Sequence, residues 1–142
     1  MRILVPVDGS PPSIRAVEHA AALLRGSGDG GIVLVNVQSP ATLDVSDVTA
    51  VISLEADRKL AESRAKKALR NAVRLCRKAQ VEFSTRTELG PVADTIAKLA
   101  RQLPADQIVM GTRGLGAIRR LVLGSVATRV VQLVRIPVTL VK

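Results

Sequence analysis

The stretch that decides the fold is DQIVMGTRGLGAIRRLVLGS, which runs from Asp106 to Ser125. Its apolar start, Ile108 to Met110, is typical of a buried strand. A glycine-rich loop, Gly111 to Gly116, follows this strand, and Gly124-Ser125 opens another helical segment. Backbone N–H groups in such a loop, with a helix N-terminus behind it, form a site for anions. The stretch therefore predicts a phosphate-binding loop at the end of a parallel strand. Arginine adds positive charge to it at Arg113, Arg119 and Arg120.

On both sides of this stretch, short apolar runs alternate with amphipathic segments. Besides 108–110, we predict strands over residues 2–7, 32–37, 81–87 and 138–141. We predict helices that begin at Ser10-Pro11, at about Ala50, at Gly90-Pro91 and after Ser125. Strands that alternate with helices through short connections imply a parallel sheet with right-handed crossovers. The length of 142 residues predicts one domain, 1–142.

Two of these elements have a distinctive pattern. The long helix, about 50–79, is predicted to bury a stripe made of Leu54, Ala61, Ala65, Ala68, Ala72, Leu75 and Ala79. Cys76 lies beside that stripe and is predicted to be a buried, inert thiol. The strand at 81–87 alternates apolar and polar residues, which indicates a half-exposed strand at the edge of the sheet. The polar stretch from Ser39 to Val48 is predicted to be an irregular loop.

Composition excludes several classes of protein. Phe83 is the only aromatic residue, which argues against nucleic-acid binding by base stacking. No apolar run reaches the ~18 residues of a membrane span, so we predict no membrane partner. Cys76 is the only cysteine and allows no intrachain disulfide, so a cytoplasmic location is the expectation. His19 is the only histidine, which excludes a histidine-based triad or a multi-histidine metal site, and the P-loop signature G-x4-G-K-[ST] is absent.

Much of the net charge of +9 lies in one segment. Residues 50–80 contain nine basic and three acidic residues, a balance of +6. Such a basic helix can attract nucleic acid, acidic proteins or a membrane surface. It can equally be a solvated helix surface. Because aromatics and a known nucleic-acid motif are missing, we expect no sequence-specific reading of nucleic acid.

The glycine spacing resembles a known family. Gly111, two residues, Gly114, nine residues and Gly124-Ser125 match the G-x2-G-x9-G-[ST] signature of nucleotide-binding universal stress proteins. The opening ILVPVDGSPPS and the ending RIPVTLVK are similar to that family as well. The resemblance implies an α/β fold: a doubly wound, five-stranded parallel sheet with helices on both faces and the flavodoxin-like order 3-2-1-4-5. Ligands of such sheets bind where the strand order reverses, past the carboxyl ends of strands 1 and 4.

The same resemblance implies the residues of a nucleotide site. Pro6, Val7 and Asp8 would hold the nucleoside together with Val37. The phosphates and ribose would lie against the glycine-rich loop and the helix after it: Met110, Gly111, Thr112, Arg113, Gly114, Gly116, Gly124, Ser125 and Val126. From the residues alone, Asp8 could instead be a turn or cap carboxylate, Arg113 a solvated side chain, and the glycines a plain turn.

The function implied is that of an ATP-binding, cytoplasmic, nucleotide-responsive stress-tolerance or regulatory factor with at most slow ATP hydrolysis. AMP or ADP is an alternative ligand, and Mg²⁺ could accompany the phosphates, held by Asp8. A homodimer through the last strand, 138–141, is expected. A genuine nucleotide hydrolase or phosphotransferase that uses the same loop is the first alternative. A basic nucleic-acid-binding module is the second.

Overall fold

The computed structural model describes residues 1–25, 29–39, 50–115 and 123–142. Strands and helices alternate along the chain as β1 (Arg2–Pro6), α1 (Pro11–Leu24), β2 (Gly31–Gln38), α2 (Ala50–Ala79), β3 (Glu82–Leu89), α3 (Val92–Gln102), β4 (Gln107–Gly111), α4 (Ser125–Leu133) and β5 (Val138–Val141). The predicted element order is confirmed, with boundaries that differ by one or two residues. Gly116, Arg119, Arg120 and most of the loop predicted at 39–48 lie outside the described residues.

The five strands form one parallel sheet in the order β3-β2-β1-β4-β5. The expected order 3-2-1-4-5 is therefore confirmed. β1 lies between β2 and β4 and is almost wholly buried, as a near-continuous apolar run requires. Pro6 ends β1, where a residue without an N–H group does not interrupt the central ladder.

Two apolar layers cover the two faces of the sheet. On one face, residues of α1 and α2, such as Val17 and Leu69, pack against the inner strands through Ile3 and Leu34. On the other face, α3 and α4 pack against Leu4, Ile108 and their neighbours. Because residues in a strand alternate in direction, Ile3 and Leu4 enter opposite layers. The arrangement confirms helices on both faces.

The start of α1 is defined by local capping. Ser10 is the N-cap, and its side chain accepts a hydrogen bond from the Ser13 backbone N–H at 3.4 Å. The Ser13 hydroxyl donates back to the Ser10 carbonyl at 2.8 Å. Pro11 occupies the first helical position, where its missing N–H leaves no hydrogen bond unmade. These contacts place the first turn of α1 directly after the end of β1.

The stripe that α2 buries differs from the prediction. Its most buried residues are Ala65, Leu69, Ala72 and Cys76, whereas Leu75 and Ala79 are half-buried. The predicted stripe omitted Leu69 and placed Cys76 beside it, although both belong to the buried core. The prediction that the Cys76 thiol is buried is confirmed. The i, i+4, i+7 and i+11 spacing of the observed stripe is equally helical, so periodicity alone could not choose between the two. The side chain of Leu54 lies outside the described residues.

The described helices contain no segment long and apolar enough to cross a membrane. β3 lies at an edge of the sheet and most of its side chains are exposed, which confirms the half-exposed edge strand. His19 is exposed on α1, away from the apolar face of that helix, as expected.

The thiol of Cys76 generates a test of this packing. Burial raises the pKa of Cys76 from 9.0 to about 11. In the unfolded chain the thiol ionises near its ordinary pKa, so ionisation favours unfolding as the pH rises through 9 toward 11. We expect the free energy of unfolding to fall by roughly 2–3 kcal/mol over this interval through Cys76 alone. Denaturant titrations of wild type and Cys76→Ala across this range measure the difference.

Subtracting the Cys76→Ala profile removes the alkaline effects of other groups. The native thiol should also resist a thiol-specific reagent at neutral pH and react only in denaturant. Parallel pH profiles, or rapid labelling of the folded protein, would show that Cys76 is accessible.

Candidate functional site

A cavity opens where the strand order reverses, past the carboxyl ends of β1 and β4. Its volume is about 440 Å³. β1 and β2 contribute its apolar wall through Val7, Val35 and Val37, and α3 adds Val92 and Ile96. The loops after β1 and β4 and the start of α4 form its polar side. One wall is thus apolar and the opposite wall carries backbone N–H groups and polar side chains, as in small-molecule sites generally.

Twelve of the thirteen residues predicted for the site line this one cavity. They are Pro6, Val7, Asp8, Val37, Met110, Gly111, Thr112, Arg113, Gly114, Gly124, Ser125 and Val126. The thirteenth, Gly116, lies outside the described residues. Residues more than 100 positions apart in sequence, such as Asp8 and Gly114, meet here because β1 and β4 are neighbours.

Sequence reasoning missed part of the wall. Ser13, Val35, Val92, Ile96, Leu115 and Ala127 also line the cavity. Val92 and Ile96 were assigned only to the apolar face of their helix. That face continues beyond the sheet into the cavity, and a helical pattern does not distinguish a residue that faces a core from one that faces a cavity. The proximity of α3 to the end of β2 is the information that was missing.

Gly111, the last residue of β4, lies against the first turn of α1. A Cβ atom there would lie 2.9 Å from Pro12 Cβ, 3.0 Å from the Pro12 carbonyl carbon and 3.1 Å from the Ser13 nitrogen. Two of these neighbours are backbone atoms, which cannot move aside as a long side chain can. Only glycine therefore allows the end of β4 to lie this close to α1.

Asp8 joins the two loops that meet at the reversal point. Its Oδ1 accepts a hydrogen bond from the Ser10 backbone N–H at 2.9 Å. Its Oδ2 accepts one from the Leu115 backbone N–H at 3.0 Å. A Cβ atom on Gly114 would lie only 2.6 Å from that Oδ2. Asp8 thus fills the turn role considered from the sequence, and it also holds the loop after β4 against the end of β1.

Gly124 brings the end of the same loop back to its beginning. Its N–H donates to the Thr112 carbonyl at 2.7 Å, and an added Cβ would lie 3.2 Å from that oxygen. Gly124 has φ −76° and ψ 160°, and Gly111 and Gly114 also lie outside the left-handed region. Positive φ is therefore not the reason for glycine at any of these three positions. Glycine is required because other atoms approach where a side chain would stand.

Thr112 has the one unpaired buried polar side-chain atom in the part of the chain that the structure describes. Its Oγ1 is buried without a hydrogen-bond partner, and the residue lines the cavity. Its backbone is held firmly, since the N–H donates to the Val141 carbonyl at 2.8 Å and the carbonyl accepts from Gly124. An unsatisfied buried hydroxyl costs roughly 1–3 kcal/mol. Thr112 thus combines an unsatisfied buried hydroxyl with a place in the cavity lining.

The N-terminus of α4 faces the same cavity. Gly124 is its N-cap, so no side chain satisfies the first N–H groups, and its first turn has no acidic residue. Ser125 and Val126, whose N–H groups begin the helix, line the cavity. Uncapped N–H groups and the positive end of the helix dipole favour an anion. Arg113, half-exposed on the same side, adds a full positive charge.

Asn36 is a buried residue of β2 that lies beside the cavity and bonds to the end of β1. Its Nδ2 donates to the Val7 carbonyl at 2.7 Å, and its Oδ1 accepts from Gln38 Nε2 at 2.6 Å. The bond to Val7 ties the end of β1 to β2, next to Val37, which lines the cavity. Among the residues that the structure describes, no three His, Cys, Asp or Glu side chains are grouped as metal ligands.

The glycine contacts generate a test by substitution. Gly111→Ala should lower the free energy of unfolding by about 1–3 kcal/mol, because the new methyl group meets the backbone of α1. Gly114→Ala should cost less, because the Asp8 carboxylate can swing away at the loss of its bond to Leu115. In an Asp8→Ala background, Gly114→Ala should cost still less, a non-additivity expected of touching residues. Urea denaturation of each variant measures these differences.

Gly31→Ala serves as the matched control. An added Cβ there would lie 3.4 Å from its nearest neighbour, the Glu82 carbonyl oxygen, so little has to move. If Gly111→Ala were no less stable than Gly31→Ala, the close approach of β4 to α1 would not be a packing constraint.

Comparisons with known proteins agree with this geometry. The sequence model of the Universal stress protein family matches residues 1–142. A universal stress protein of Methanocaldococcus jannaschii is 32% identical over 144 residues, which cover 99% of this chain and 81% of that protein. The structure of UspA from Lactobacillus plantarum has the same fold, with a TM-score of 0.83 at 24% identity and coverage of 100% of this chain and 97% of that one.

A second solved structure is described as a universal stress protein in complex with cAMP. Its TM-score is 0.72 at 26% identity, and the match covers 100% of this chain and 97% of that one. The family match over the full 1–142 range and the relative in M. jannaschii establish the relationship. This chain belongs to the universal stress protein family.

Proposed function

We propose that the cavity binds an adenine nucleotide, with ATP as the first candidate and ADP or AMP as alternatives. The protein, one domain over residues 1–142, would then be a cytoplasmic, nucleotide-responsive stress-tolerance or regulatory factor. The observation that carries the proposal is the uncapped N-terminus of α4, which lines the same cavity as the glycine-rich loop after β4 and the apolar side chains of β2 and α3.

The polar side of the cavity suits phosphates. The N–H groups at the start of α4 and the Ser125 hydroxyl are donors, and Arg113 supplies charge. The glycine-rich loop lines this side with its backbone, whose N–H groups can receive phosphate oxygens. Mg²⁺, if present, would be bound mainly by phosphate oxygens and water, as is usual for this ion. Both Asp8 oxygens accept backbone hydrogen bonds, and a carboxylate can still share a lone pair with such an ion.

The apolar side suits a base. Val7, Val37, Val92 and Ile96 offer a flat aliphatic surface without an aromatic partner. A volume of about 440 Å³ falls in the ordinary range for small-molecule sites. The structural relative in complex with cAMP supports an adenine nucleotide as the class of ligand.

A hydrolase or phosphotransferase that uses the same loop is the alternative within this site. Among the described residues that line the cavity, Asp8 is the only carboxylate, and two backbone N–H groups already bond to it. A general base must reach the nucleophile that it activates. Without a general base, the turnover number for ATP hydrolysis should stay far below the ~10 s⁻¹ that is typical of enzymes. Turnover of several per second would favour the enzyme over the regulator.

The nucleic-acid-binding module is the alternative from a different class. It would use the basic surface of α2 and not the cavity. Phe83 is the only aromatic residue and is packed against the core, so no base can stack on it. Binding to DNA, if present, would be independent of sequence and steeply dependent on salt.

A homodimer through β5 completes the proposal. β5 lies at the second edge of the sheet, and all four of its residues are half-buried. An apolar edge strand with one open side is a template for pairing. Two copies related by a two-fold axis would join their β5 strands antiparallel and extend the sheet across both subunits. Thr112 N–H donates to Val141, the last residue of β5, so the dimer edge and the cavity share a backbone contact.

Thr112→Val separates binding from folding. The variant removes a hydroxyl that has no partner, so the free protein should become more stable by about 1 kcal/mol. ATP stabilises the wild type by RT ln(1 + [L]/Kd), about 2.7 kcal/mol at 100 Kd, and this gain should shrink in the variant. Thermal melts with and without ATP, ADP and AMP measure both quantities.

Thr87→Val, on the exposed edge strand β3, is the control and should leave the ATP gain unchanged. If folded wild-type protein showed no melting shift with any of the three nucleotides at millimolar concentration, the cavity would not be a nucleotide site. If Thr112→Val kept the whole gain, the hydroxyl would make no ligand contact.

Lysine substitutions on β5 test the proposed dimer interface. Val138→Lys combined with Leu140→Lys should give monomers, because two copies would place four lysines along one strand pair. Light scattering of the wild type and the double variant measures the mass. The matched change Thr85→Lys with Thr87→Lys adds the same charge at exposed positions of β3 and should leave the dimer intact. A β5 double variant that remained dimeric would place the interface elsewhere.

A further inference from the structure

The edge of the sheet formed by β3 is long, and among the described residues no strand pairs with its outer side. β3 pairs with β2 on its inner side, and the sheet of the described residues ends there. The strand has eight residues, and its side chains are exposed at all but two positions. A strand at an edge presents a row of unpaired N–H and C=O groups. An edge of this length can therefore hydrogen-bond to a further extended chain.

A basic groove runs along this edge. It has a volume of about 500 Å³ and lies between α2 and β3. Its charged lining comes from Lys66, Arg70, Arg74 and Arg77 of α2, with Thr85 of β3 at its base and Leu69 and Val73 as apolar lining. Four cations thus line a groove that the strand edge borders.

Nothing acidic on α2 neutralises the groove. Between Ser63 and Val81 the chain has seven basic residues and no acidic one. Within the described residues, α2 makes one ion pair, Arg58 with Glu62 at 3.5 Å, one turn before the groove begins. Like charges on neighbouring turns of a helix repel each other, so this run of cations lowers the stability of α2 when no partner is bound. A bound anionic partner would offset that repulsion.

We propose that this face binds an acidic peptide segment, which adds to β3 as a sixth strand and directs alternate carboxylates into the groove. The spacing of the two elements agrees with this mode. Side chains on one face of a strand recur every ~6.6 Å. Lys66, Arg70 and Arg74 recur every four helical residues, which is ~6.0 Å. Successive carboxylates of the peptide can therefore meet successive cations.

A peptide fits this face better than the other anionic partners do. Strand addition uses backbone donors and acceptors that nucleic acids lack. Stacking surfaces for bases are scarce, because Phe83 is the only aromatic residue and is partly buried against the core. A helix that lies on a membrane needs an exposed apolar face beside its basic face. The apolar face of α2 is buried against α1 and the sheet.

Fluorescence anisotropy with synthetic peptides tests the proposal on the full chain. The probe has glutamate at every second position, with valine and threonine between. A block isomer of the same composition, with its glutamates contiguous, is the matched control. The alternating peptide should bind more tightly than the block isomer, and its affinity should fall as salt screens the groove. Equal affinity for both peptides would overturn strand addition.

Charge reversal locates the binding face. Arg70→Glu with Arg74→Glu should weaken binding of the alternating peptide roughly tenfold or more. Lys98→Glu with Arg101→Glu changes the net charge by the same amount on α3, which covers the opposite face of the sheet, and should have little effect. Equal loss in both double variants would mean that the peptide responds only to overall charge, and the proposed site would be wrong.

Amide hydrogen exchange separates strand addition from simple attraction. On binding, every second amide from Glu82 to Leu89 should exchange more slowly, because those N–H groups point away from β2 and gain a partner. Unchanged β3 amides would contradict the proposal. Single-stranded DNA or RNA that bound more tightly than the alternating peptide would also overturn it and favour a nucleic-acid partner.

Discussion

The close approach of β4 to the first turn of α1 is the constraint on which the rest of the site depends. At Gly111 there is no room for a side chain, since the backbone of Pro12 and Ser13 occupies the space. This contact brings the loop after β4 beside the end of β1, where Asp8 can bond to Leu115. Without it, the two loops would separate and the polar side of the cavity would lose its shape.

The cavity lies at the end of one apolar layer, the one between the sheet and the helices α3 and α4. β1 and β2 stop at the reversal of the strand order, and α3 extends past them with Val92 and Ile96. The polar wall is the backbone of the loop that returns through Gly124 to Thr112. Folding leaves the Thr112 hydroxyl without a partner, which costs stability. Such a cost is typical of a functional site, where local rules are broken in favour of a ligand.

The two edges of the sheet differ in chemistry, and the difference suggests different partners. β5 is short, apolar and half-buried, so it suits a second copy of the same strand. β3 is longer and mostly exposed, and it borders four cations of α2. Repulsion between two such basic edges disfavours their pairing with each other. The apolar edge at β5 thus favours a second copy of the chain, and the edge at β3 beside the cations of α2 favours an acidic partner.

The amino-acid sequence by itself determined the element order and the parallel sheet, and its resemblance to a family supplied twelve of the eighteen described residues that line the cavity. Short apolar runs between amphipathic segments carry that information locally, and the spacing from Gly111 to Ser125 marked the loop. The strand order came from resemblance to a family, since local patterns contain no information on which strands become neighbours.

Only the tertiary structure decided how those residues work. Contacts with Pro12, Asp8 and Thr112 are what exclude a side chain at the loop glycines. Periodicity could not select Leu69 and Cys76 for the buried stripe of α2, because two adjacent stripes have the same spacing. The sequence likewise did not predict the groove beside β3, because the groove forms only where α2 and β3 lie side by side. In each case the deciding contact joins residues distant in sequence, and a local pattern cannot encode such a contact.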